Sequence, residues 1–434
     1  MPGVLAVFAQ FAWAAGQVAV RWNEPIEIAT GRGEKGPWRQ NDSRYDYVDD
    51  ATVAFTGDGG IALAWVDQKQ KDVMFQLLRP NGQRAGAVVN VSRSARTFSW
   101  LPRIVVAPDN PRKLYLLWQE IIFSGGSHGG DILFARSEDG GLSFAPPLNL
   151  SRSRGGDGKG RIDRDTWSNG SLDLVITSDG TVLAAWTEYD GALWLARSRD
   201  KGASFGPPRR LAGDAVRPAR APALATGPGG AVYLAWTVGE DVAADIRVVQ
   251  SGDGGATFGE PQLAGAGRGH ADAPRLTVDP RGTLHLVYAE SEGGPAGRYQ
   301  IRYVRSTSGA AGFGQARTLS APGPTGAAYP ALALDARGAL YVSWEVFPAP
   351  GERPRGLAFT WSRDGGEHFA TPALVPGSRD PGDGYNGSNQ GLLGKKIAAS
   401  GDGSIAVVNS SLEPGERSRV WLIRGQVAGS GNPK

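Results

Sequence analysis

The chain contains no cysteine, so disulfides, thiolate metal sites and cysteine nucleophiles are excluded. Histidine is nearly as scarce: His128, His270, His285 and His368 show no metal-ligand spacing, and no cofactor is expected. Neither a phosphate-cradling loop nor a serine nucleophile elbow occurs. Long apolar runs are missing too, since beyond the first twenty residues nothing approaches the ~18 apolar residues of a membrane span. Charge of one sign is likewise lacking. With 46 lysines and arginines against 43 aspartates and glutamates, a formal +3 over 434 residues is too small to argue for nucleic acid or an anionic membrane.

What is abundant is glycine, 63 residues, with 29 prolines, scattered as they are where many short strands are joined by turns. The stretch Ser251-Gly252-Asp253-Gly254-Gly255-Ala256-Thr257-Phe258 recurs at 137–144, 198–205 and 362–369. A worn copy at 306–313 has Ser308 in place of the aspartate. Each copy follows an apolar run and precedes a short extended segment, so it reads as a hairpin turn. The aspartate accepts hydrogen bonds from its own turn, and the glycines supply positive φ. A second repeat is an apolar strand ending in an aromatic, at Trp65, Trp118, Trp186, Trp236, Tyr288 and Trp344, with a seventh copy ending at Asn409. Successive endpoints lie 50 to 68 residues apart. Each unit reads as four antiparallel strands that cannot bury both faces alone, which is a propeller blade stacking radially on its neighbours.

The expected fold is all-β, a propeller of seven four-stranded blades, with six as the alternative. An N-terminal strand near 25–29 is expected to pair with the three strands of the last unit and close the ring. The propeller is expected over 21–427, followed by a tail at 428–434. Residues 1–20, apolar with small residues around Ala12–Ala15, read either as the end of a secretory signal or as a first strand.

The recurring turn resembles the Asp-box, or bacterial-neuraminidase repeat, of the sialidase superfamily. The resemblance implies a propeller whose ligands meet the face opposite the boxes. It also implies an arginine group binding a substrate carboxylate, a tyrosine nucleophile activated by a glutamate, and a loop aspartate as acid/base. Sialidases have six blades, so a seventh is a departure. The boxes themselves read as structural.

Three long loops lead into inner strands, at 31–50, 151–170 and 376–395, and they carry carboxylates, arginines and aromatics suited to a polyhydroxylated or acidic sugar. From them come the candidate catalytic residues Tyr47, Asp49 and Asp50, and the candidate substrate-binding residues Trp167 and Tyr385. Two positions after the repeated aromatic stand Asp67, Glu120, Glu188 and Glu290, which either crown a central pocket or merely cap their loops. Glu188 is assigned to catalysis, Glu120 and Glu290 to substrate binding. Inner strands begin with Arg103 and Arg275, placed where the resemblance puts carboxylate-binding arginines; the other reading is an ion pair with a neighbouring blade.

Two functions follow. One is an exported protein, periplasmic or secreted, acting as a sialidase-like exo-glycosidase on terminal acidic sugars. The other is a non-catalytic propeller of the same type that binds glycans or a protein partner. In either case the expected ligand is a glycan or small saccharide, and the expected state is a monomer.

Overall fold

A computed structural model describes residues 20–427 apart from 38, 40–41, 95–96, 125–126, 153–170, 189, 240–243, 266–268, 380–383 and 387–392. The segment read as a signal and the C-terminal tail fall outside the described residues, apart from Val20. Seven antiparallel sheets, blades I to VII, span 48–90, 98–149, 171–212, 219–265, 270–318, 326–374 and 385–427. Blade IV shows the pattern: Ala219–Thr226 innermost, then Val232–Val238, Asp245–Ser251 and Gln262–Gly265 outermost. The second strands, such as Ile61–Asp67 and Val182–Thr187, are buried almost throughout. A strand packed on both faces has no polar side to show, which explains why the repeat reads as a continuous apolar run.

Seven apolar clusters fill the interfaces between blades, the last of them joining blade VII to blade I, so the ring is closed. Closure uses the N-terminal strand as expected. Ile26–Gly31 pairs antiparallel with Arg417–Val427 of blade VII and supplies its outer strand, and Val20–Trp22 pairs further along the same strand.

The recurring turns explain how blades dock. In blade IV, Ser251 Oγ donates to Asp253 Oδ1 at 2.7 Å, and Thr257 donates its amide and hydroxyl to the same carboxylate at 2.8 and 2.6 Å. Equivalent bonds surround Asp200, where the Ser204 hydroxyl and amide, with the Ser198 hydroxyl, hold the carboxyl down at about 2. The glycine at the fifth position of each turn lies flat against the preceding blade. A Cβ on Gly141 would strike the Phe75 ring, on Gly202 the Phe134 ring, on Gly255 the Leu183 methyls, and on Gly366 the Tyr303 ring. Arginines of the preceding blade then hold the turn's carbonyls. Arg209 donates to Gly255 O at 2.9 Å and to Ala256 O at 2.5 Å, and Arg305 donates to Gly365 O at 2.8 Å. The turns are therefore blade-to-blade fasteners.

Candidate functional site

Five inner strands carry one irregularity at the same level. Asp50, Leu101, Ala221, Ala273 and Tyr329 all have φ between 48° and 56°, each at a register shift against the second strand. In four of them the next residue is proline: Pro102, Pro222, Pro274 and Pro330. Such bulges turn the following side chains out of the sheet, and left-handed backbone at non-glycine residues is a strain that clusters at functional sites.

In blades II and V the side chain turned inward is an arginine. Arg103 and Arg275, 2% and 7% exposed, each donate one guanidinium nitrogen to the carbonyl of the preceding proline, at 3.1 and 2.9 Å. Each donates another to a shared acceptor, the carbonyl of Leu393, at 2.7 Å from Arg103. Burial, then the charge of Arg275, lowers Arg103 to about 10. The buried Asp173 of blade III pairs with Lys395 Nζ at 2.9 Å. Although burial alone raises its carboxyl, Lys395, Arg103 and Arg275 hold it below its ordinary value. The two arginines thus converge on one backbone carbonyl. They meet a strap of the chain's own backbone, and among the described residues no ion pair joins either of them to another blade.

On the side away from the recurring turns, blades IV, V and VI enclose a cavity of ≈ 680 Å³ with Leu393 in its wall. His270, 1% exposed, lies between two partners: Tyr299 Oη is 2.9 Å from its Nδ1, and Arg220 Nη2 is 3.3 Å from its Nε2. Arg220 also pairs with Asp272 at 3.7 Å, and Thr237 Oγ1 donates to that carboxylate at 3.0 Å. Burial opposes the charge on Asp272, but Arg220 beside it keeps the carboxyl below its usual range. Burial raises the Tyr299 phenol well above its ordinary value and pushes Tyr329 up to about 12. A guanidinium can only donate, so His270 Nε2 is the acceptor and its proton sits on Nδ1, aimed at the Tyr299 oxygen. The rest of the wall includes Arg298, Arg353 and Glu352.

The residues assigned from sequence fall into three groups. Tyr47, Asp49 and Asp50 lie together on blade I, but Asp49 and Asp50 belong to the inner strand Val48–Phe55 and are 2% and 3% exposed. Asp49 accepts from Ser410 of blade VII, and Asp50 Oδ2 accepts from the Leu101 amide of blade II at 2.9 Å. Tyr47 is buried, and burial followed by the charges of Asp49 and Asp50 carries its phenol well above its ordinary value. Tyr385 stands under the Arg353 guanidinium, 4.4 Å from the ring centroid; it packs against a residue of the cavity wall and does not itself line the cavity.

Glu120, Glu188 and Glu290 form the second group, and none of them lines the cavity. Glu120 and Glu188 accept from the indole N–H of Trp118 and Trp186 two residues back, at 3.3 and 3.4 Å, while Glu290 pairs with Arg302 at 3.1 Å. Asp67 caps its own turn through the amides of Lys69 and Gln70. Trp167, the third case, lies outside the described residues.

Sequence reasoning missed Arg220, His270, Asp272, Tyr299 and Tyr329. A signal existed: the proline of the bulge repeats in four blades, and counting two residues back from it gives Arg220 and Asp272, the facing ion pair.

No family model and no curated protein matches this chain. Among solved structures it is similar to a PL25 polysaccharide lyase described as an ulvan lyase, with a TM-score of 0.59 and 12% identity over 93% of this chain and 96% of that one. It is similar also to the polysaccharide lyase Uly1, at 0.53 and 10% over 94% and 99%. A Hadza microbial sialidase overlaps at 0.47 and 14% over 70% and 66%, too loosely to carry an argument. At these identities what is shared is the fold, and the chain is a seven-bladed β-propeller with a cavity on one face.

Proposed function

We propose that this propeller is a glycan-acting enzyme that cleaves an anionic polysaccharide by β-elimination in the cavity of blades IV to VI. The observation that carries the reading is the row Tyr299–His270–Arg220. Burial works against ionisation of the Tyr299 phenol, so the His270 Nδ1–H directed at its oxygen is what favours the phenolate, which forms by loss of the phenol proton to solvent as substrate binds. The resulting phenolate is stabilised by that hydrogen bond and by the guanidinium behind it. Tyr299 then takes the proton from the carbon next to a uronate carboxylate. The electron pair forms the new C–C double bond as the glycosidic C–O bond breaks, and the proton passes to the departing oxygen. Arg298 and Arg353 supply positive charge at the wall for the carboxylate. Hydrolysis by paired carboxylates is less well supported, because Asp272 is committed to Arg220 and Thr237. Both lyases named above share the fold.

A second reading keeps the exo-glycosidase expected from sequence, with Tyr47 as nucleophile and Asp49 or Asp50 as acid/base on a terminal acidic sugar. Their mutual proximity favours it. A glycan or protein binder without catalysis is the third.

Ulvan, polygalacturonate, alginate and a fluorogenic sialoside separate these. Elimination raises ultraviolet absorbance from the new double bond, hydrolysis releases reducing ends or fluorophore without it, and a binder does neither. Tyr299→Phe is expected to lower kcat at least ~100-fold with the fold intact; full activity in that variant refutes the elimination reading.

A further inference from the structure

Arg103 and Arg275, the two residues that the register singled out, have no part in the proton transfer described above. Both belong to the same local unit, Leu101-Pro102-Arg103 and Ala273-Pro274-Arg275, whereas blades IV and VI carry Ala223 and Ala331 at the arginine position. Burying two cations beside one another is costly, and apolar replacements of such groups are often neutral or stabilising. Their value therefore has to come from what they fix in place. Both end on the carbonyl oxygen of Leu393, and Leu393 is one of the residues that line the cavity, with Ala273, Asp272 and Tyr329.

The strap is gripped from every side. Lys395 reaches Asp173 at 2.9 Å and the Leu174 carbonyl at 3.1 Å in blade III, and its own carbonyl accepts from the Val53 amide in blade I at 3.2 Å. Lys396 pairs with the buried Glu345 of blade VI, and its carbonyl accepts from the Val408 amide of blade VII at 2.9 Å. Blades II and V contribute the arginines.

We propose that Arg103 and Arg275 are positioning residues for the cavity: through the Leu393 carbonyl they hold the strap that forms its inner wall, and so set how substrate is seated. This rests on the reading of the cavity as the catalytic site. It differs from the role their register first suggested, because the guanidiniums act on substrate at one remove.

The experiment uses the full chain and ulvan as the probe, with wild type, Arg103→Lys/Arg275→Lys, Leu393→Ala and Tyr299→Phe compared. A lysine cannot span the proline carbonyl and the Leu393 carbonyl as the planar fork does. The double lysine variant is expected to show about tenfold higher KM with kcat within about twofold. Amide exchange over 393–396 should speed up about tenfold while the blades keep their protection. Leu393→Ala, which leaves the arginines and the carbonyl in place, is expected to raise KM alike, and it serves if the lysine variant does not fold. Wild-type KM in Leu393→Ala, or wild-type KM and exchange in a folded double variant, overturns the positioning role. If Tyr299→Phe retains full activity the catalytic reading falls instead, and the exchange measurement still decides whether the arginines hold the strap.

Discussion

Gly140 and Gly141 are adjacent in the turn of blade II and have nearly equal backbone angles, φ of 79° and 85°. They differ in surroundings: a Cβ on Gly140 would meet nothing within 4 Å, whereas one on Gly141 would lie 3.0 Å from Phe75 Cδ1 and closer still to Cζ and Cε1. Gly140→Ala therefore carries only the cost of a left-handed alanine, about 1–2 kcal/mol, reduced by a few tenths through the stiffer unfolded chain. Gly141→Ala carries the same cost and also has to displace a buried ring, which adds about 1–3 kcal/mol of overpacking. The difference between two neighbouring substitutions thus isolates the contact between blades I and II. Urea denaturation at unchanged slope measures it. Phe75→Leu in the Gly141→Ala background is expected to recover part of the loss, a coupling that neither single change shows. Equal midpoints for the two alanine variants refute the fastening role of the turn.

Two further outcomes follow from buried charge. Burial holds the His285 imidazole, which faces Tyr303 Oη at 2.8 Å, down to about 4 from 6.5, so between those values the unfolded chain takes up the proton and the folded one does not. Stability is accordingly expected to fall as pH drops from about 6.5 toward 4, by on the order of 3 kcal/mol. His285→Gln is expected to flatten that part of the curve in melts across pH, and an unchanged slope counts against the assignment. Lys396 and Glu345 form a buried pair, with Asn409 Nδ2 also donating to Glu345 at 3.0 Å. Lys396→Met alone is expected to cost about 3–5 kcal/mol and Lys396→Met/Glu345→Leu much less. Equal losses in urea melts show that the pair is not what matters.

The architecture was legible because two signals repeat with the blade: the aromatic that ends the second strand and the turn that follows the third. The closing strand was legible because the last unit had one strand too few. The candidate site was harder for a reason visible at Arg103. Its register was readable, but its partner is a backbone carbonyl 290 residues away, and a carbonyl leaves no trace in side-chain chemistry. Glu120 and Glu188 misled in the opposite way: a carboxylate two residues past a tryptophan takes that residue's own indole N–H on the same face of the strand. His270 opens the inner strand of blade V and Tyr299 immediately precedes its third strand, Gln300–Ser306, 29 residues away. Only the bulges bring their level of the ring into one cavity.

The pairing of Ile26–Gly31 with Arg417–Val427 also sets a timetable. Each of blades I to VI is built from strands that follow one another along the chain, so they can assemble in order as synthesis proceeds. The strand that completes blade VII is made before blades I to VI, and its partner after them. Until 417–427 emerges, that early strand has no edge to join and blade I has an uncovered flank. Ring closure is thus the step with the longest sequence separation, and by the topological dependence of folding rates it is the slow one. Before it, the molecule is an open arc with two adhesive ends; after it, every blade is packed between two others.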